Sequence, residues 1–222
     1  MLARVPEPEL MDSPEQVAAY AGADFSVSDN AFVERLLQAL QPLPDRGTLI
    51  DLGCGPGGIT ISTARSLPGW QITALDAGAN MLARAGENLH RQPAAVRERV
   101  TLHQAWLPQH GLRQQFDVII SNSLLHHLPD PSTLWQTLVA LGCRGSLVQV
   151  MDLLRPDSEQ QLQQLVQTHA GDAPPVLQKD FSHSLRAAYS LEELGAQLKS
   201  AGLQHLSLAQ ISDRHMQISG RL

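Results

Sequence analysis

Aromatic residues make up only 4% of the 222-residue chain, and it has just two cysteines. No apolar run approaches the roughly eighteen residues that a membrane-spanning helix needs. Cys54 and Cys143 are too few for a disulfide framework, which suits a reducing compartment. The opening residues lack the apolar core of a secretory signal, so the expected setting is the cytoplasm, with no membrane partner. Positive charge is also short: Lys and Arg total 16 against 22 Asp and Glu, for a net charge of −6. No global basic field is therefore available to recruit nucleic acid. A hydrophobic content of 43% with 17% charged residues excludes wholesale disorder. The length fits one elaborated α/β domain.

Residues 1–30 are acidic and contain proline, and they show no clear periodicity. They read as an N-terminal arm or lid, with the main domain over 31–222. Phe32, Val33, Leu36, Leu37 and Leu40 fall at helical spacing, with Asp29 or Asn30 able to cap. Strands and helices then alternate. Strands are expected at 48–52, 71–75, 100–103, 116–120 and 146–151. Helices are expected at 59–66, 79–89, 132–141 and 157–169. Ser190-Leu191-Glu192-Glu193 is a capping box opening a further helix. Strands at 206–211 and 216–219 are joined by only four residues, too few for a parallel crossover, so they must form an antiparallel hairpin. The expected fold is α/β and doubly wound: a mostly parallel, seven-stranded sheet with a C-terminal antiparallel hairpin strand.

The densest signal is Asp51-Leu52-Gly53-Cys54-Gly55-Pro56-Gly57-Gly58. Glycines between a strand and a helix permit a sharp turn and a close approach of ligand to main chain. Gly53-x-Gly55-x-x-Gly58 satisfies the dinucleotide fingerprint, so a nicotinamide oxidoreductase is one reading. Asp76, ending the second strand, can accept both hydroxyls of a ribose and serves either kind of nucleoside ligand. Asp51 discriminates. A carboxylate at the mouth of the first strand suits a cationic amino group and fits poorly beside a pyrophosphate.

Those residues, with Leu75-Asp76-Ala77 and the run Phe116-Asp-Val-Ile-Ile-Ser-Asn-Ser-Leu-Leu-His-His-Leu128, resemble the class I S-adenosylmethionine-dependent methyltransferases from about residue 31 onward. The resemblance implies a Rossmann-like fold, S-adenosylmethionine as cofactor and a methylated small molecule as product. Gly53, Cys54, Gly55 and Gly57 would line the methionine end of the cofactor. Asp51 would hold its amino group, directly or through water, and Asp76 its ribose. Met81 would pack on adenine, with Ala77 and Asn122 also at the cofactor. The acid that the family usually has after the third strand is absent. Gln104, Ala105 and Trp106 stand there and would have to meet adenine. A methyltransferase-like protein that binds cofactor without turnover is the third reading.

The loop after the fourth strand, residues 121–127, would border the transferred methyl group. It has neither the Asn/Asp-Pro-Pro-aromatic motif of base-amine methyltransferases nor a cysteine nucleophile. A small-molecule acceptor remains. His126 and His127 are candidate general bases or orienting groups, and Tyr20 is a further catalytic candidate. The plainer reading is that one histidine caps the following turn and the other is solvated. No ligand spacing supports a metal site, and none is expected. Asp24, Phe25, His183 and Arg214 are candidate acceptor contacts, each also explicable as packing, capping or turn chemistry. The oligomeric state is expected to be monomer or homodimer.

Overall fold

The computed structural model describes residues 2–7 and 11–222. Seven strands form one sheet: β1 (Gly47–Leu52), β2 (Trp70–Asp76), β3 (Val100–Gln104), β4 (Phe116–Asn122), β5 (Gly142–Leu153), β6 (Ser207–Gln210) and β7 (His215–Arg221). Their order is β3-β2-β1-β4-β5-β7-β6. β1 to β5 pair in parallel, and β7 runs antiparallel to both β5 and β6. The expected sheet and terminal hairpin are therefore present. Strand order reverses between β1 and β4, which opens a crevice at the carboxyl ends of those two strands.

Nine helices complete the described fold: α1 (Pro14–Gly22), α2 (Ser26–Ala39), α3 (Gly58–Ser66), α4 (Ala79–His90), α5 (Ala94–Arg97), α6 (Ser132–Leu141), α7 (Glu159–Ala170), α8 (Pro175–Ala187) and α9 (Leu191–Ser200). Alternation along the strands separates two cores, as the period of two demands. On one face Leu49, Val118, Ile120 and Leu147 meet Phe32, Val33 and Leu36 of α2 and Ile59 and Ala64 of α3. On the other, Ile50, Leu52, Ile119, Val148 and Val150 meet Trp135 and Leu138 of α6 and Leu194 and Leu198 of α9. Both faces are covered, which is why the central strands read as unbroken apolar runs.

Three local features differ from the sequence expectation. α2 begins at Ser26, so the expected arm boundary at residue 30 falls inside this helix. Residues 94–97 form a short helix. The segment after Pro174 is helical because Pro175 occupies the first helical position, where its missing N–H costs nothing. The capping box at Ser190 and Glu193 is present in both halves, with Ser190 Oγ accepting from Glu193 N and Glu193 Oε2 from Ser190 N.

The N-terminal segment is tied down. α1 carries its own capping box between Ser13 and Gln16 and packs against α4 and α8. Residues 2–7 cross α8 as a strap: Val5 N donates to Arg186 O at 3.0 Å, and the Arg4 guanidinium lies 4.1 Å from the Tyr189 ring centroid. Among the described residues no helix is long and apolar enough to cross a membrane.

Candidate active site

Where β1 ends, the chain turns through three glycines at positive φ: Gly53 (75°), Gly55 (51°) and Gly57 (84°). A side chain at Gly53 would press on Leu124, whereas a Cβ at Gly55 would meet nothing within 4 Å. The loop thus presents bare main chain to an open crevice. Asp76 clamps it, its Oδ2 accepting from Gly55 N and its Oδ1 from Gly78 N, both at 2.8 Å.

Three acids from different elements face this loop. Asp51 is 2% exposed and accepts from Thr60 Oγ1 at 2.5 Å. Burial pushes its carboxyl up to about 7; the Thr60 hydrogen bond opposes the rise, and Asp76 and Asp29 add to it. Burial likewise raises Asp76 against its two backbone hydrogen bonds. Asp29, projecting from α2, has an oxygen 2.6 Å from where a Cβ on Gly58 would stand. Burial, then Asp24, pushes it up to about 6. Burial raises the Tyr20 phenol to about 12, with the charges of Asp29 and Asp76 adding to the rise, so this hydroxyl stays protonated over the acids. Among the described residues, Asp29, Asp51 and Asp76 make no ion pair with Lys, Arg or His.

The expected adenine contacts gather beside Asp76. Gln104 Nε2 donates to Ala77 O at 3.3 Å, and Ala105 N to Asp76 O at 3.0 Å. Met81 is buried at the start of α4, and Trp106 stands 60% exposed. The Cys54 thiol is buried and raised well above its ordinary value by burial, then by Asp51 and Asp76, which removes it as a nucleophile at neutral pH. At the end of β4, Asn122 Oδ1 is buried without a partner among the described residues. Ser123 follows at φ 55°, a left-handed conformation that non-glycine residues rarely adopt.

His126 and His127 lie in a 3₁₀ turn after β4, their rings 4.1 Å apart. They are not equivalent. His126 is 3% exposed, and its Nδ1 meets Asp152 Oδ1 at 2.5 Å. Asp152 also accepts from Leu125 N and Leu153 N, both at 2.6 Å. Burial works against both charges of this pair, yet their mutual attraction prevails, raising the imidazole and lowering the carboxyl. His127 is more open, and its Nδ1 is hydrogen-bonded to Glu7 Oε2.

The remaining candidates are differently engaged. Tyr20 and Phe25 stack with centroids 4.6 Å apart. Asp24 is exposed and accepts from Ser26 N at 2.9 Å, where α2 opens. His183 is half-buried on α8. Arg214, at the β6–β7 turn, contacts Asp213 and His169 at 3.1 and 2.9 Å. Sequence reading missed Glu7, Asp12, Thr60 and Asp152. Asp12 Oδ1 accepts from Asn80 N and Met81 N, capping α4 across the chain. Only Asp152 left a local signal, since it follows directly on an apolar run near the end of β5, much as Asp76 ends β2.

Residues 50–148 match the family described as "Methyltransferase domain". The chain matches that family over less than half of its length. It is 32% identical to a trans-aconitate 2-methyltransferase of Variovorax paradoxus over 139 residues, 62% of this chain and 50% of that protein. An uncharacterised methyltransferase of Mycobacterium tuberculosis is also 32% identical, over 57% of this chain and 60% of its own length. The chain thus spans about half to three-fifths of the length of these two relatives. A solved structure described as a SAM-dependent methyltransferase from Aquifex aeolicus superposes with a TM-score of 0.67 and 16% identity, over 93% of this chain and 97% of that one. This last likeness establishes the fold and nothing finer.

Proposed function

We propose that the protein is an S-adenosylmethionine-dependent methyltransferase acting on a small-molecule acceptor. One observation carries the reading: at the strand-order switch, an open glycine main chain is ringed by Asp29, Asp51 and Asp76, none of which forms an ion pair with a cation of the described residues. A nucleoside ligand bearing positive charge fits that ring, whereas a pyrophosphate would be repelled by it. The unpartnered Asn122 Oδ1 supplies a further acceptor at the same edge.

The bound cofactor supplies a methyl group already activated on a sulfonium. The protein's task is then alignment, which is worth roughly 7–11 kcal/mol in well-oriented cases. Asp51 holds the amino group and Asp76 the ribose, with Gly53, Cys54, Gly55 and Gly57 along the methionine end. Ala77, Met81, Gln104, Ala105 and Trp106 enclose adenine. The described N-terminal arm, as far as the start of α2 at Ser26, serves as a lid with Tyr20 and Phe25 at the crevice, and the acceptor lies along the 3₁₀ turn. We place the enzyme in the cytoplasm, as monomer or homodimer.

Calorimetric titration tests the cofactor directly. S-adenosylmethionine and S-adenosylhomocysteine are expected to bind with one-to-one stoichiometry, and NAD and NADP to give no heat. Binding of a nicotinamide nucleotide alone would make the protein an oxidoreductase. Gly55→Ala forces a side chain into the left-handed region at a cost of about 1–2 kcal/mol and places a methyl group in the crevice. The expected variant is folded, as read by circular dichroism, with cofactor affinity lowered at least about tenfold.

A further inference from the structure

The two histidines after β4 are each paired with a carboxylate from elsewhere in the chain, and the pairs differ in what they leave free. Asp152, saturated by backbone donors, locks His126 in the interior. Glu7 comes from the strap. Its Oε1 accepts from Ser184 Oγ of α8 at 2.7 Å, and its Oε2 takes His127 Nδ1. The strap itself is over-determined. Arg4 Nε donates to Ala187 O at 2.6 Å, and Arg4 Nη2 to His126 O and Leu128 O at 3.3 and 3.4 Å. The carboxylate is thus delivered to a fixed point, and His127 Nε2 has no hydrogen-bond partner among the described residues. When protonated, His127 is also near enough to the cofactor-side acid to oppose, in small part, the rise that burial imposes on the Asp76 carboxyl.

We propose that Glu7 is a positioning residue for His127, holding the neutral ring with its proton on Nδ1 so that Nε2 is left as the base at the acceptor edge. In a neutral imidazole the hydrogen bond made by one nitrogen decides which nitrogen carries the proton. A carboxylate accepts only, so Nδ1 must donate. The catalytic half of this assignment rests on the methyltransferase reading. As the acceptor's lone pair bonds to the methyl carbon, the methyl–sulfur bond breaks with its electrons going to sulfur. The acceptor's proton passes to His127 Nε2, and the imidazolium so formed sits against Glu7. The strap is then part of the reaction site, although Glu7 lies 120 residues from the histidine it serves.

The test is a long-range ¹H–¹⁵N correlation spectrum of the full chain labelled at histidine, with His127→Gln assigning the resonance. In the wild type the neutral ring is expected as the Nδ1–H form. In Glu7→Gln the amide can offer its own N–H to Nδ1, and the ring is expected to pass mostly to the Nε2–H form. Glu7→Asp should restore Nδ1–H in part. Ser184→Ala, which frees Glu7 without removing its charge, should give a mixture and serves if Glu7→Gln does not fold. A wild-type ring already in the Nε2–H form, or a Glu7→Gln spectrum unchanged from wild type, would overturn the assignment. S-adenosylmethionine titrated into the same samples should bind wild type and Glu7→Gln within about twofold. Failure of the wild type to bind it would sink the cofactor reading alone, because the tautomer is read without the ligand.

Discussion

Replacing Asp76 with alanine is expected to weaken S-adenosylmethionine binding at least about a hundredfold. A hydrogen bond to a charged group is worth about 1.5–3 kcal/mol, and a ribose presents two hydroxyls to this carboxylate, so the direct loss is about 3 kcal/mol or more. An indirect loss adds to it. Each oxygen of Asp76 already accepts one backbone N–H, from Gly55 and Gly78, so the side chain also sets the shape of the glycine loop. Alanine frees both donors. They face an open crevice where water can replace the carboxylate, so the cost to the fold is modest, about 1–2 kcal/mol, or a fall of roughly 2–8 °C in unfolding temperature. Asp76→Asn separates the two effects: its oxygen can keep Gly78 N, while its amide cannot accept from Gly55 N. Calorimetry on both variants, with a thermal melt as the folding control, reads the prediction. Unchanged affinity in Asp76→Ala would remove the ribose assignment.

How far the sequence could be read divides along physical lines. The sheet was legible because each of its central strands is buried on both faces, so an apolar run of five to seven residues ending in a turn admits few other readings. The glycine loop was legible because its constraint is local: Gly53, Gly55 and Gly57 all adopt positive φ within five residues. Asp76 could be placed because it closes a strand. Glu7 could not. Its partners, His127 and Ser184, lie 120 and 177 residues away, and nothing in the surrounding acidic stretch marks one carboxylate as buried. Asp12 and Asp29 escaped for the same reason, since their contacts with α4 and with the turn at Gly58 exist only once the arm is folded back. The helix over Pro175–Ala187 was not among those expected; Pro174 takes its N-cap and Pro175 its first position, a start that carries no apolar signal of its own. The two adjacent histidines show the limit most sharply. Spacing treats them alike, and only burial at 3% with Asp152 behind it separates the locked ring from the available one.

The acids around the crevice predict that cofactor binding is linked to proton release. Asp51 rises from 3.8 to about 7 and Asp29 to about 6, in both cases chiefly through burial without a cationic partner. A carboxyl whose folded value lies above its unfolded value favours folding while it is protonated. That contribution is complete below about pH 4 and is lost as pH rises through about 6 to 7. For Asp51 the shift corresponds to about 4 kcal/mol at 1.36 kcal/mol per unit. A cationic ligand reverses the balance, because its ammonium and sulfonium charges favour the ionised acids and pull their pKa values down. Below pH 7, then, S-adenosylmethionine must displace protons to bind. Its affinity is expected to rise by up to about tenfold per pH unit between about pH 5 and 7 and to level off above that. Calorimetry at pH 6 in two buffers of different ionisation enthalpy counts the protons directly, and about one per ligand is expected. S-adenosylhomocysteine, which keeps the ammonium but lacks the sulfonium, should release fewer. Asp51→Asn should flatten the profile between about pH 6 and 7, since an amide of the same shape has no proton to lose, and leave below it the part that belongs to Asp29. Glu7, held down at about 2, is already ionised throughout this range and contributes nothing to the slope. An affinity that stays flat from about pH 5 to 8 in the wild type would show that the buried acids do not meet the cofactor's charge, and the assignment of Asp51 to its amino group would fall.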